Sequence, residues 1–201
     1  EAAPQLGQLG LTYPLSMILA MIVAGLWSVL FGLPSARVKG FYLIMTTMAA
    51  QFITVDFIIT HYVSQIGGRG MAFSLPPGTI RFGPWDIRTD LQQYYLMLIL
   101  VIVCIVFIGN LMRTRIGRAW IAIRDNDIAA EVLGVNVVRY KLVAFFVAGA
   151  LAGVAGAYGN SLTFAVSPEN FPFSESLWLV GVVLIGGIGS NYGTVFGAIY
   201  L

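Results

Sequence analysis

The chain has 201 residues, 58% of them hydrophobic and only 10% charged, with a net charge of +2 and a mean hydropathy of +0.86. A soluble domain carries about 25% charged residues, so the composition excludes an ordinary soluble fold and points to a membrane protein. The one cysteine excludes a disulfide framework, and the one histidine excludes a His-rich metal site; no metal and no cofactor is expected.

The opening EAAPQLGQLG lacks the basic region and cleavage pattern of a signal peptide. It also lacks an initiator Met, and the final GAIYL stops within an apolar run. A fragment, cut at both ends, is the expectation. The first apolar segment, about 12–33, is near the ~20 residues that span hydrocarbon. Arg37 and Lys39 follow it.

The second apolar segment, about 41–63, carries Thr47, Gln51 and Thr54 at helical spacing. That mildly polar face suits either a pathway wall or interhelical hydrogen bonds. Asp56 lies roughly opposite, with His61 close behind. An intramembrane carboxylate is a candidate for function, here proton coupling, although near the outer end of a span it can simply be hydrated. The following 64–90 stretch is rich in Gly and Pro (GGRG, LPPG, FGPW). It reads as a turn-rich outer connection, or a docking loop.

A third apolar segment, 91–111, contains Cys104, a bland buried thiol by its surroundings. Next comes the strongly charged segment: Arg113–Lys141 holds six of the eleven Lys and Arg residues and three of the nine acids. By the positive-inside rule, 34–40 and 112–141 face the cytoplasm, and the N-terminal stub, 64–90 and 166–175 face outward. The inner loop reads as two short helices, Gly117–Arg124 and then IAAEVLG, separated by the cap-type residues Asp125, Asn126 and Asp127 and stopped by Gly134. Ala129 and Ala130 give the second helix a small side. So short a helix needs support from the membrane domain, a partner or both; a solvated amphipathic connector is the plainer reading.

In the fourth segment, 142–165, Gly149, Ala152, Gly153 and Gly156 lie near one helix face, a pattern for close helix packing. The last, 176–201, is a half-length apolar piece broken by Gly186, Gly187, Gly189 and Gly193, with Ser190 between them. Broken helices often line transport pathways; an ordinary tight turn between two spans is the alternative. Ser190 with His61 as base would make an intramembrane hydrolase, but no further pattern supports that. No Walker-type phosphate loop occurs, so nucleotide hydrolysis would belong to another chain.

Four stretches in order carry a family resemblance: LPSARVKGFYLIMTTMAAQF, IGGRGMAFSLPPG, GRAWIAIRDNDIAAEVLGVNVVRYKLVAF and SPENFPFSESLWLVGVVLIGGIGSNYGTVFGA. The chain resembles permeases of branched-chain amino acid (leucine/isoleucine/valine) ABC importers along nearly all its length. The third stretch is the most specific; in the second, Ile66 replaces the family's usual Thr. Of the general EAA-x-x-x-G coupling motif of ABC importers, Ala129, Ala130 and Gly134 fit. Ile128 stands where Glu is usual, and the later Ile-x-Leu-Pro is missing.

The resemblance implies an all-α polytopic transmembrane helical bundle with cytoplasmic coupling helices and a Gly-broken half-helix, forming a single permease domain that lacks the family's first helices. It implies the plasma (inner) membrane, with the lipid bilayer, a second related permease subunit, two ATP-binding subunits and an extracytoplasmic substrate-binding protein as partners; no nucleic acid is among them. ATP hydrolysis would reside in the partner chains, so this chain would not itself be an enzyme. The residues expected at the ATPase contact are Arg118, Arg124, Asp125, Asn126, Asp127, Ala129, Ala130, Glu131 and Gly134. Those expected at the pathway or its hinge are Gly186, Gly187, Gly189, Ser190 and Gly193, with Thr47 and Gln51. Urea or short amides are alternative substrates, and an ion-coupled secondary transporter using Asp56 and His61 is an alternative mechanism.

Overall fold

A computed structural model describes residues 13–36, 41–55, 61, 73–74, 80–82, 85–87, 89–163, 165–166, 171–187 and 189–200. Asp56, Arg37, Lys39, Ile66 and the GGRG run lie outside the described residues. Among the described residues, three helices are long and apolar enough to cross a membrane: α1 (Tyr13–Ala36), α3 (Asp90–Arg113) and α6 (Val137–Thr163). The first two have 24 residues each, roughly 36 Å at ~1.5 Å per residue. α3 has no buried residue, the pattern of a helix apolar on all sides. α6 begins before the apolar window expected at 142, because Asn136 caps it: its Oδ1 accepts from the Arg139 N–H at 3.0 Å. Arg139 and Lys141 are therefore helical residues despite their charge.

Between α1 and α3 lies α2 (Phe41–Phe52), whose helical path loosens into a π-type turn over residues 53–55. In the connection between α2 and α3, β2 (Ile80–Phe82) and β3 (Trp85–Ile87) pair antiparallel, and β1 (Phe73–Ser74) pairs with β4 (Ala165–Val166), just after α6. The turn-rich reading of 64–90 therefore needs these short ladders added. Two short helices, α4 (Arg115–Asp125) and α5 (Asp127–Val132), fill the charged loop. The chain finishes with α7 (Phe173–Gly186) and α8 (Asn191–Tyr200), which meet at 119°.

The main packing surface joins α1 to α6, and small residues make it possible. A Cβ at Gly153 would lie 2.6 Å from the Ala20 carbonyl oxygen, and one at Gly149 would lie 2.8 Å from that of Ala24. In return, the Phe146 and Phe145 rings occupy the space a side chain would need at Gly25 and Gly32. Lipid is as apolar as the helices, so such close approach and interhelical hydrogen bonds, rather than apolar burial, hold the pair. Ser28 Oγ donates to the Phe145 carbonyl at 2.7 Å, and Tyr13 Oη lies 3.2 Å from Ser161 Oγ. Of the four small residues expected to pack, Gly149 and Gly153 do so against α1, whereas nothing lies within 4 Å of a Cβ at Gly156 and Ala152 is exposed.

Candidate functional site

α1, α2, α6 and the start of α7 enclose a cleft of about 640 Å³. Trp27, Phe31, Phe145, Phe171 and Leu179 give it apolar walls, and the polar face of α2 enters it through Thr47, Gln51 and Thr54. Thr54 turns its hydroxyl to the Ala50 carbonyl at 2.8 Å and accepts from Trp27 Nε1 at 3.3 Å. Across the cleft, Ser176 Oγ donates to Gln51 Oε1 at 3.0 Å. A stacked Phe52–Phe173 pair, centroids 6.1 Å apart, joins α2 to α7 beside it. The polar stripe thus lines a wall and bonds between helices at once. Glu175 and Ser176, which the sequence reading passed over, complete the lining.

The charged loop is fixed at each corner. Thr114 leaves the helical path after α3, its hydroxyl donating to the Leu111 carbonyl at 2.6 Å. At Gly117 an added Cβ would run into the Met112 backbone, so the α3–α4 corner requires glycine. Trp120 Nε1 donates to the Tyr140 carbonyl at 2.9 Å and straps α4 to the start of α6. Of the three cap-type residues, Asn126 is the cap of α5: its Oδ1 accepts from the N–H groups of Ile128 and Ala129 at 3.1 and 3.0 Å. Asp125 ends α4, and Asp127 sits in the first turn of α5, where an acid suits the helix dipole. Gly134 has φ +85° and closes a Schellman motif, with Gly134 N–H donating to the Glu131 carbonyl and Val135 N–H to that of Ala130.

That geometry divides the residues expected at a partner contact. Ala130 is 2% exposed and packs inward, so Ala129 and Ala130 do not form one docking face; adjacent residues on a helix point about 100° apart. Ala129, Glu131 and Gly134 are exposed, as are Arg118, Arg124, Asp125 and Asn126. The outermost surface of α5 is apolar instead: Ile128 is 65%, Val132 83% and Leu133 82% exposed. Beside it, Asp127, Glu131, Arg139 and Lys141 edge a more polar hollow of about 790 Å³, with Ala36 at the end of α1 also on its wall. The end of α1 and the loop therefore share one end of the bundle.

The glycines expected at the pathway or its hinge are not among the described residues lining the cleft. They build the α7–α8 corner at the loop's end of the molecule. A Cβ on Gly186 would strike the Gly193 carbonyl, and one on Gly193 would strike that of Gly186, so the two helices touch through backbone. Gly187 and Gly189 have φ of +96° and +95°, a region L side chains rarely adopt. Ser190 caps α8, accepting from the Gly193 N–H at 3.1 Å. The Arg124 guanidinium lies directly over Gly189. The described residues therefore give Ser190 a structural task; His61 is exposed.

Residues 3–201 match the family model described as branched-chain amino acid transport system / permease component. The chain belongs to this family. It is similar to the high-affinity branched-chain amino acid transport system permease protein LivM of Salmonella typhimurium, at 31% identity over 213 residues, covering 96% of this chain and 50% of that protein. The Escherichia coli protein of the same name is 30% identical over the same shares. A probable branched-chain amino acid transport permease protein of Methanocaldococcus jannaschii is 26% identical over 92% of this chain and 53% of its own length. The chain spans about half the length of the relatives it matches. No solved structure matches it.

Membership of a permease family accords with three helices able to cross a membrane, and the chain is a multi-pass α-helical membrane protein. The candidate site has two parts, the cleft and the capped loop.

Proposed function

We propose that the chain is part of one permease subunit of an ABC importer for branched-chain amino acids in the plasma (inner) membrane. Residues 112–141 face the cytoplasm, and α5 docks on an ATP-binding subunit, where ATP is hydrolysed. A second related permease completes the passage, and an extracytoplasmic binding protein delivers the substrate. The cleft is this subunit's share of the pathway. Arg118, Arg124, Asp125, Asn126, Asp127, Ala129, Glu131 and Gly134 shape or surround the docking helix. Gly186, Gly187, Gly189, Ser190 and Gly193 form a hinge rather than a pathway wall, while Thr47 and Gln51 belong to the pathway.

One observation carries this reading. A six-residue helix, capped at both ends, holds Ile128, Val132 and Leu133 out from the membrane domain. Apolar side chains so placed in water gain about 1.5–3 kcal/mol each when a partner covers them. The test is Val132→Asp with Leu133→Asp in the full-length permease. The expected result is at least about tenfold weaker co-purification of the ATPase, about 1.4 kcal/mol, and loss of leucine uptake, with the permease still folded in detergent. Normal ATPase binding and normal uptake would reduce α5 to a connector.

A further inference from the structure

Among the described residues lining the cleft, Glu175 is the one ionisable side chain. No ion pair joins it to another described residue. Glu175 is exposed at the outward end of α7, so it places a carboxylate at the mouth of a cleft whose other described lining residues carry no charge, where a cationic group entering from outside meets it. Beside it Ser176 donates to Gln51 across the cleft, and Trp27, Phe31 and Phe145 provide an aromatic surface. A solute with a cationic group and an aliphatic body matches both features; urea or another neutral amide has no cationic group to offer the carboxylate. We infer that Glu175 is a specificity-determining residue that receives the α-ammonium group of an amino acid in the cleft. This rests on the cleft being the pathway of a branched-chain amino acid permease. The plainer role for Glu175 is an acid in the first turn of α7, favoured by the helix dipole, and that role has no bearing on which solute binds.

The experiment separates the two. Leu179, on the cleft wall, becomes the one cysteine of this chain through Leu179→Cys with Cys104→Ser, in the full-length permease assembled with its partners. The rate of maleimide alkylation is followed with leucine, with 3-methylbutan-1-amine (no carboxylate) or with 4-methylpentanoate (no ammonium). Leucine and the amine are expected to slow alkylation, and the carboxylate is not. In Glu175→Gln, half-protection by leucine should need about tenfold more ligand or more, while Glu175→Asp keeps most of the protection. Equal protection by leucine in Glu175→Gln, or protection by the carboxylate and not the amine, overturns the inference. Protection by the amine without protection by leucine supports a cation site at Glu175 while refuting the branched-chain reading. Protection by none of the three overturns the inference. Should Glu175→Gln fail to assemble, the comparison of the three ligands with Glu175 intact still decides.

Discussion

Replacing Gly149 by Ala in α6 places one methyl group where the α1 backbone already lies. Its Cβ would sit 2.8 Å from the Ala24 carbonyl oxygen and closer still to Ser28 Cβ, against an unstrained separation of about 3.5 Å or more. Both obstacles belong to a helix, so α1 and α6 must part by roughly 0.7–1.2 Å. That shift stretches the Ser28–Phe145 hydrogen bond from 2.7 Å toward the limit at which such a bond counts. Overpacking costs about 1–3 kcal/mol and a weakened hydrogen bond about 0.5–1.5 kcal/mol. The gain from replacing a helical Gly by Ala returns about 0.5–1 kcal/mol. A net destabilisation of about 1–3 kcal/mol follows. Gly156 supplies the control: the same helix and face, but nothing within 4 Å of its Cβ, so Gly156→Ala should be neutral or stabilising by up to about 1 kcal/mol. Denaturant unfolding of the full-length permease in mixed micelles measures both. Equal destabilisation by the two substitutions would mean that this face of α6 packs against something other than α1, and the reasoning would fail.

Two further outcomes are expected. Single cysteines at Arg115 and Asn136, both exposed, in a Cys104→Ser background should resist an impermeant thiol reagent in intact cells and react in inverted vesicles; labelling of both in intact cells would reverse the topology. Gly187→Ala and Gly189→Ala should each cost about 1–3 kcal/mol from the positive φ and lower uptake, but only Gly189→Ala should be partly relieved by adding Arg124→Ala, because the guanidinium occupies the space at Gly189 alone. Relief of both, or of neither, would show that the steric account of this corner is mistaken.

The sequence made the long helices legible because a 20-residue apolar run has few other uses. It made Gly134 legible because a glycine after a short helix has one common reason. The polar stripe of Thr47, Gln51 and Thr54 could be read because helical periodicity places those residues on one face, and that face lines the cleft. What was not legible depends on tertiary register. Asp125, Asn126 and Asp127 are equally able to cap, and only the path of the chain selects Asn126. Ala129 and Ala130 look alike in sequence, yet one is exposed and one buried. The exposure of Ile128, Val132 and Leu133 was not legible either, since an apolar residue carries no mark of which side will be covered. Gly25 and Gly32 gain meaning only opposite Phe146 and Phe145, more than a hundred residues on. Glu175 sits at the edge of an apolar run, where an acid usually signals nothing beyond a helix start.

The two parts of the site are connected by short, stiff links, and this gives the proposed transport mechanism a physical route. α5 passes through the Gly134 turn directly into the Asn136 cap of α6, and Trp120 binds the same region from α4. α6 then carries Phe145 at the cleft wall while Gly149 and Gly153 hold it against α1. A displacement of α5 by a partner therefore cannot be absorbed in a slack loop. It must tilt α6 or break one of these caps, each typically worth ~1 kcal/mol. The second link runs from α4 through Arg124 to the backbone at Gly189, and so to the lower end of α7, whose upper end bears Glu175 and Ser176. Two cleft walls are thus held at their far ends by one charged loop. Rigid-body motion of packed helices about such anchors is a common form of switching. Here it would act on the Ser176–Gln51 bond, which joins α7 to α2 across the cleft. A tilt that separates α7 from α2 by 1 Å would take that 3.0 Å bond beyond hydrogen-bonding distance, freeing Gln51 for the passing substrate at the moment the walls part.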